Sequence, residues 1–187
     1  MSNPALSDII QRITASAPPP PMTTKIIAID GCGGAGKTTL AWRLAANLGA
    51  QLIHTDDFAS WDNALDWHGR MMAQVITPLR NNKPGRYQRY DWGTRALAEW
   101  HDVPLQPYVI IEGVSSARAL FRPAYAFAIF VDTPQEERLK RGLARDGADA
   151  LPLWQKWQAA EDAYLRQETP QAHVDLMLNG TRPIPDP

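Results

Sequence analysis

Lys37, Thr38, Asp56 and Glu112 are the side chains whose types and settings in this sequence suit phosphate chemistry. Lys37 and Thr38 close the segment Gly31-Cys32-Gly33-Gly34-Ala35-Gly36-Lys37-Thr38, which satisfies the pattern G-x-x-x-x-G-K-[ST]. A bend this rich in glycine can take positive φ. It can then bring the amides of Gly31, Gly33, Gly34, Ala35 and Gly36 against phosphate oxygens with no side chain between. A helix running on from Thr38 and Thr39 would aim its unsatisfied N–H groups and its dipole at the same anion. Lys37 supplies a point charge for β- and γ-phosphates, and the Thr38 hydroxyl suits the Mg²⁺ that accompanies them. The implied cofactors are ATP and Mg²⁺. GTP is disfavoured, because the Asn-Lys pair at Asn82-Lys83 continues Pro84-Gly85 and forms no Asn-Lys-x-Asp loop.

The motif needs a strand before it and a helix after it, and the sequence supplies both. Ile26, Ile27, Ala28 and Ile29 read as a buried strand. Leu40, Leu44 and Leu48 share one helical face, and Gly49 is placed to end that helix. Chance alone would produce the pattern in roughly one chain in a hundred of this length, and chance does not supply its context.

Further strands follow at Gln51 to His54, Tyr108 to Gly113, Ala126 to Val131 and Val174 to Leu178. Alternation of short apolar strands with helical patterns predicts a parallel sheet, in which ligands bind beyond the carboxyl ends of the strands. Thr55-Asp56-Asp57-Phe58 follows the second strand, so its acids belong on the same rim as Lys37. One carboxylate there could take a proton from a hydroxyl or hold a metal-bound water, although an Asx-type cap accounts for the pair equally well. Glu112 ends the third strand and is a candidate partner of Mg²⁺.

Between Trp61 and Trp100 the simple alternation stops. Leu65, Met72, Val75, Ile76 and Leu79 form a helical stripe closed by Asn81-Asn82-Lys83-Pro84-Gly85. Tyr87, Tyr90 and Trp92, with Phe58, Trp61 and Trp67, could wall a site for a flat substrate, or could simply pack. Asp132-Thr133-Pro134-Gln135-Glu136 reads as a capping box opening a helix that bears Arg138, Arg141 and Arg145. Their spacing lets the guanidinium groups converge over a transferring phosphoryl group, or line a solvated face. After a break at Asp146 to Pro152, a further helix carries Trp154, Trp157, Glu161, Tyr164 and Leu165 on one side.

Taken together, the landmarks resemble the uridine kinase group of P-loop kinases, which includes phosphoribulokinase-like and pantothenate kinase-like relatives. They are Asp30 to Thr39, Thr55 to Phe58, Tyr90-Asp91-Trp92, Ile111-Glu112-Gly113, and Arg138 to Asp146. The resemblance implies an α/β P-loop NTPase three-layer fold: a five-stranded parallel sheet, helices on both faces, and a helical acceptor and lid region. It implies that Asp56 takes the proton of the acceptor hydroxyl and that Glu112 associates with magnesium. Arg141 and Arg145 would close over the γ-phosphoryl group, and Phe58, Tyr90, Trp92 and Arg95 would fall in the acceptor site. Arg95 stands where uridine kinases usually have histidine, and the Arg-Gly-Arg that follows the family's lid signature is missing after Arg145-Asp146. The domain would span residues 23–180, with an acceptor insertion over about 59–103 and a lid over about 138–168. Residues 1–22 would form a helix and proline-rich linker, and 181–187 a tail.

Composition narrows the partners. At 187 residues and net charge −1, with basic residues scattered, the chain suggests one domain with no nucleic-acid or membrane surface. A single cysteine excludes an internal disulfide and suits a reducing cytoplasm. No apolar run approaches a membrane span, and no signal-peptide core opens the chain. The expected partner is a small-molecule phosphate acceptor, most simply a nucleoside or another ring-bearing hydroxyl compound. Two rivals share the motif: an ATP-hydrolysing regulator without kinase activity, and a nucleotide-binding module without turnover.

Overall fold

The computed structural model describes residues 2–60 and 63–186. Trp61, one of the aromatic residues expected in the acceptor wall, lies outside the described residues.

The central strand β1 (Lys25–Asp30) is the apolar run that leads into the glycine-rich bend, and it is buried from Ile26 onward. Burial on both faces is what an unbroken apolar strand requires, and the sheet provides it. β1 lies between β5 (Tyr108–Glu112) and β6 (Tyr125–Asp132), with β2 (Gln51–His54) beyond β5 and β7 (Leu176–Asn179) beyond β6. All four pairings are parallel. Alternate residues feed opposite layers. Ile26, Val109 and Ile111 join one apolar core with Met71, Val75, Leu79 and Phe121. Ile27, Ile29 and Ile110 join the other, with Leu40, Leu44, Ile129 and Leu178. Helix α1 (Leu6–Ala15) inserts Leu6, Ile9 and Ile13 into that second core, as its spacing predicts.

Helix α2 (Lys37–Leu48) starts at the motif lysine and ends at Gly49, whose left-handed backbone (φ 62°) returns its N–H to Ala45. It carries the chain toward β2 and β5, while β6 and β7 lie on the other side of β1. Strand order therefore reverses at the carboxyl end of β1, the position where open α/β sheets bind ligands.

The insertion departs from its expected outline. Its helix begins at His68, so Leu65 is not part of the stripe. It runs through α3 (His68–Met71), a π-helical stretch (Met72–Ile76) and α4 (Thr77–Arg80). Pro78 has no N–H for the carbonyl four residues back, and the wide turn precedes it. Beyond it stands an antiparallel ribbon, β3 (Gly85–Asp91) and β4 (Ala96–Val103), which the mixed polar and aromatic pattern did not signal. The stretch expected as a lid holds α5 (Gln135–Asp146) and α6 (Leu151–Glu168), separated by one short turn. The expected capping box does not form: the Thr133 hydroxyl donates instead to the Ala35 carbonyl, tying β6 to the glycine-rich bend. Among the described residues, no helix is long and apolar enough to cross a membrane.

Candidate active site

The bend between β1 and α2 forms one wall of a cleft of about 510 Å³, within the size range of small-molecule sites. Its backbone is left-handed at Gly34 (φ 76°) and Gly36 (φ 98°). A Cβ on Gly34 would stand 2.5 Å from the Arg138 carbonyl oxygen, so α5 presses directly on the loop there. Gly33, Gly34, Gly36, Lys37, Thr38 and Thr39 line the cleft. Gly31 and Ala35 do not, and instead support the loop from behind against Val131 and Thr133. The Lys37 ammonium is buried and donates to the Cys32 carbonyl within its own loop at 2.9 Å.

Asp30, which ends β1, fixes the loop from below. Its carboxylate accepts hydrogen bonds from the N–H groups of Gly31, Ser115 and Ala117 and from the Tyr164 hydroxyl of α6. Complete burial raises its carboxyl above the usual range, and these donors oppose that shift.

Thr38 and Glu112 meet across the cleft floor, with the hydroxyl 3.2 Å from Glu112 Oε1. The same oxygen lies 2.6 Å from His54 Nδ1 at the end of the neighbouring strand. The Glu112 hydrogen bond raises the pKa of His54, and burial opposes that shift. A hydroxyl and a carboxylate converging in this way are hard oxygen donors that fit Mg²⁺, which habitually takes few protein ligands and completes its shell with phosphate and water. No cluster of three metal-ligating side chains occurs among the described residues.

The two acids after β2 separate in role. Asp57 accepts the Tyr87 hydroxyl at 2.8 Å and belongs to the packing. Asp56 lines the cleft, held there by a hydrogen bond from the Trp92 indole N–H to its carbonyl at 3.1 Å. The side chain is reachable through the cleft mouth, yet the walls displace enough water to raise its carboxyl. Lys37 opposes that shift, and Glu112 adds to it.

Of the expected acceptor residues, Asp56 and Trp92 line the cleft, and three others do not. Phe58 is core: its ring stacks on Tyr87 at 4.9 Å and packs against Trp67, because the 3-10 turn at Thr55–Asp57 rotates it inward. Tyr90 stands edge-on behind Trp92, with ring centroids 5.5 Å apart. Arg95 is exposed at the ribbon turn.

The three lid arginines do not converge. Arg138 is buried against Glu161 at 2.9 Å and donates to the Thr133 carbonyl, so it serves packing. Arg141 and Arg145 do line the cleft. Arg141 is braced by Glu137 at 2.9 Å and reaches the Gly180 and Gly34 carbonyls. Arg145 pairs through two nitrogens with Asp146, with its guanidinium 5.8 Å from the Trp154 ring centre.

Three residues at the site were named in the sequence without a role there: Asp30, His54 and Glu161. Glu161 Oε1 accepts the Gly33 amide at 2.7 Å while Oε2 holds Arg138, so α6 grips the loop that would hold phosphate. A charged residue ending an apolar strand was a usable signal for Asp30 and His54. None existed for Glu161, whose partner lies 128 residues away.

A parallel sheet in this order, with a glycine-rich loop at the carboxyl end of its central strand and α5 and α6 packed over that loop, is a P-loop NTPase fold. Two solved structures share it. A protein described as a possible uridine kinase from Bacillus stearothermophilus matches with a TM-score of 0.70 at 22% identity, over 93% of this chain and 97% of that one. A chain assigned provisionally to a fructose transport system kinase, from Silicibacter sp. TM1040, matches with a TM-score of 0.67 at 17% identity, over 92% of this chain and 98% of that one. At such identities the likeness establishes the fold. No protein-family model matches the chain, and no curated protein does.

Proposed function

We propose that this protein is an ATP- and Mg²⁺-dependent kinase that transfers the γ-phosphoryl group to a hydroxyl of a small, nucleoside-like metabolite. The observation that carries the reading is the meeting in one cleft of three parts: the loop amides with Lys37, the Thr38–Glu112 pair, and the Asp56 carboxylate. The loop amides and Lys37 bind the β- and γ-phosphates. Mg²⁺, held by Thr38 and Glu112, would neutralise charge on the phosphates as transfer proceeds. Asp56 orients the acceptor hydroxyl and takes its proton as the new oxygen–phosphorus bond forms and the bond to the ADP oxygen breaks. Arg141 and Arg145 compensate charge on the group in flight. Such catalysis is positioning and electrostatics, and it needs no covalent nucleophile.

The test is ADP release measured with and without a panel of nucleosides, sugars and amino-alcohols, together with detection of a phosphomonoester product. A kinase is stimulated by its acceptor and accumulates that product. ATP hydrolysis indifferent to every acceptor would sink the reading in favour of a regulatory ATPase.

A further inference from the structure

The chemistry of the cleft wall adjoining Asp56 restricts what can be accepted there. Trp92 from the ribbon and Trp157 from α6 meet edge to face, with centroids 6.3 Å apart, and Ala59, Leu65, Val114 and Ala160 fill the spaces around them. The indole N–H of Trp92 is engaged with the Asp56 carbonyl, and that of Trp154 with Asp146 Oδ2 at 3.0 Å. The Trp92 and Trp154 rings therefore offer the cleft carbon surface and π-electrons, and no indole donor.

The cations of the cleft are the ones that the phosphotransfer reading assigns to the phosphates. Among its described lining residues they are Lys37, Arg141 and Arg145. Lys37 is turned into the phosphate loop, Arg141 onto Glu137 and two carbonyls, and Arg145 onto Asp146. Among the acids of the lining, Asp56 is tied to the tryptophan wall through its main-chain carbonyl, which accepts the Trp92 indole N–H.

We propose that the acceptor is an uncharged or cationic hydroxyl compound whose body lies against Trp92 and Trp157, and that the wall rejects anionic acceptors. This rests on the phosphotransfer reading, which takes this wall as the acceptor side and gives the cations to the phosphates. The negative face of an aromatic ring attracts a cation and repels an anion. An acceptor carboxylate or phosphate would lose its water beside Asp56 while the cations among the described lining residues serve the phosphates, which is discrimination by an unmet charge. A neutral or cationic molecule of the same shape meets no such penalty.

The experiment is calorimetric titration of the full chain, with Mg²⁺ and a non-hydrolysable ATP analogue, against three probes sharing one skeleton. These are phenylethanediol (neutral), phenylethanolamine (cationic) and mandelate (anionic). The expected result is mandelate weaker than both others by about tenfold or more. A smaller gap, a reversed order, or no binding by any probe at millimolar concentration overturns the proposal. Trp157→Ala should weaken the neutral and cationic probes by about tenfold, while Trp157→Phe, which keeps a ring, should stay within about threefold of the parent. Should the alanine variant misfold by circular dichroism, the phenylalanine variant with the three probes still decides. The expected probe order without any phosphorylated metabolite would end the kinase reading and leave this one standing. A phosphorylated product with the order reversed would do the opposite.

Discussion

On the proposed function the glycine-rich loop presents main chain to its ligand, whereas the wall around Trp92 and Trp157 presents side chains from a ribbon and a helix far apart in sequence. The loop is pinned from several sides, by Asp30 below, Thr133 behind and Glu161 above. The wall rests on ring-to-ring contacts and the indole bond to Asp56. A surface of amides recognises what all triphosphates share, so it can be fixed by a short local motif. A surface of side chains recognises what distinguishes one acceptor from another, and it can change without disturbing the loop.

That contrast can be broken from either side, and the largest expected effect is at the loop. Lys37→Ala should lower turnover on the order of a thousandfold, because a charge is removed from the transferring phosphates. The melting temperature should hardly change; a variant that stays active would remove Lys37 from the chemistry. Glu161→Ala comes next and should reduce stability by roughly 3–5 kcal/mol, since it strands the buried Arg138 guanidinium and the Gly33 amide. Denaturant unfolding measures it, and a loss below about 1 kcal/mol, the range of an exposed pair, would mean that α6 does not grip the loop.

Asp56→Asn probes the boundary between the halves. Turnover should fall by about a hundredfold or more while analogue affinity is retained. A base must be ionised to act, and partial desolvation by the cleft walls raises the Asp56 carboxyl above its ordinary range, although the residue is open to the cleft mouth. The parent's rate should therefore climb with pH through a midpoint above that of a free aspartate, and the limb should vanish in the variant. A midpoint at or below the usual aspartate value would contradict that desolvation. The smallest effect concerns Cys32, whose thiol is pushed up to about 12 by burial, with Glu161 adding to the shift. Iodoacetamide should label it far more slowly in the native protein than after unfolding. Equal rates would mean that the loop is open to solvent.

How far each half could be read in the sequence follows from the same contrast. The loop, the strand before it and the helix after it are contiguous, so local pattern sufficed, and Glu112 was legible as an acid ending an apolar strand. The five strands and their parallel arrangement were legible for the same reason, with ends shifted by a residue or two. Choosing between Asp56 and Asp57 required knowing that Tyr87 returns 30 residues later to claim Asp57. Phe58 looked like wall and is core, because a single 3-10 turn decides which way it faces. The arginines shared a helical period, but periodicity could not reveal that Arg138 is held by Glu161, 23 residues on.

Helix α6 joins the two halves. Trp157 and Glu161 sit one turn apart on it, the first in the wall and the second on the Gly33 amide, with Tyr164 bonded to Asp30 a further turn along. A rod clamped to the loop at two points cannot shift at the wall without tugging the loop. If filling one side moves α6, each occupant must alter the other's affinity by the same factor. Substrate synergy would then be written into a single helix, with no separate messenger between the halves.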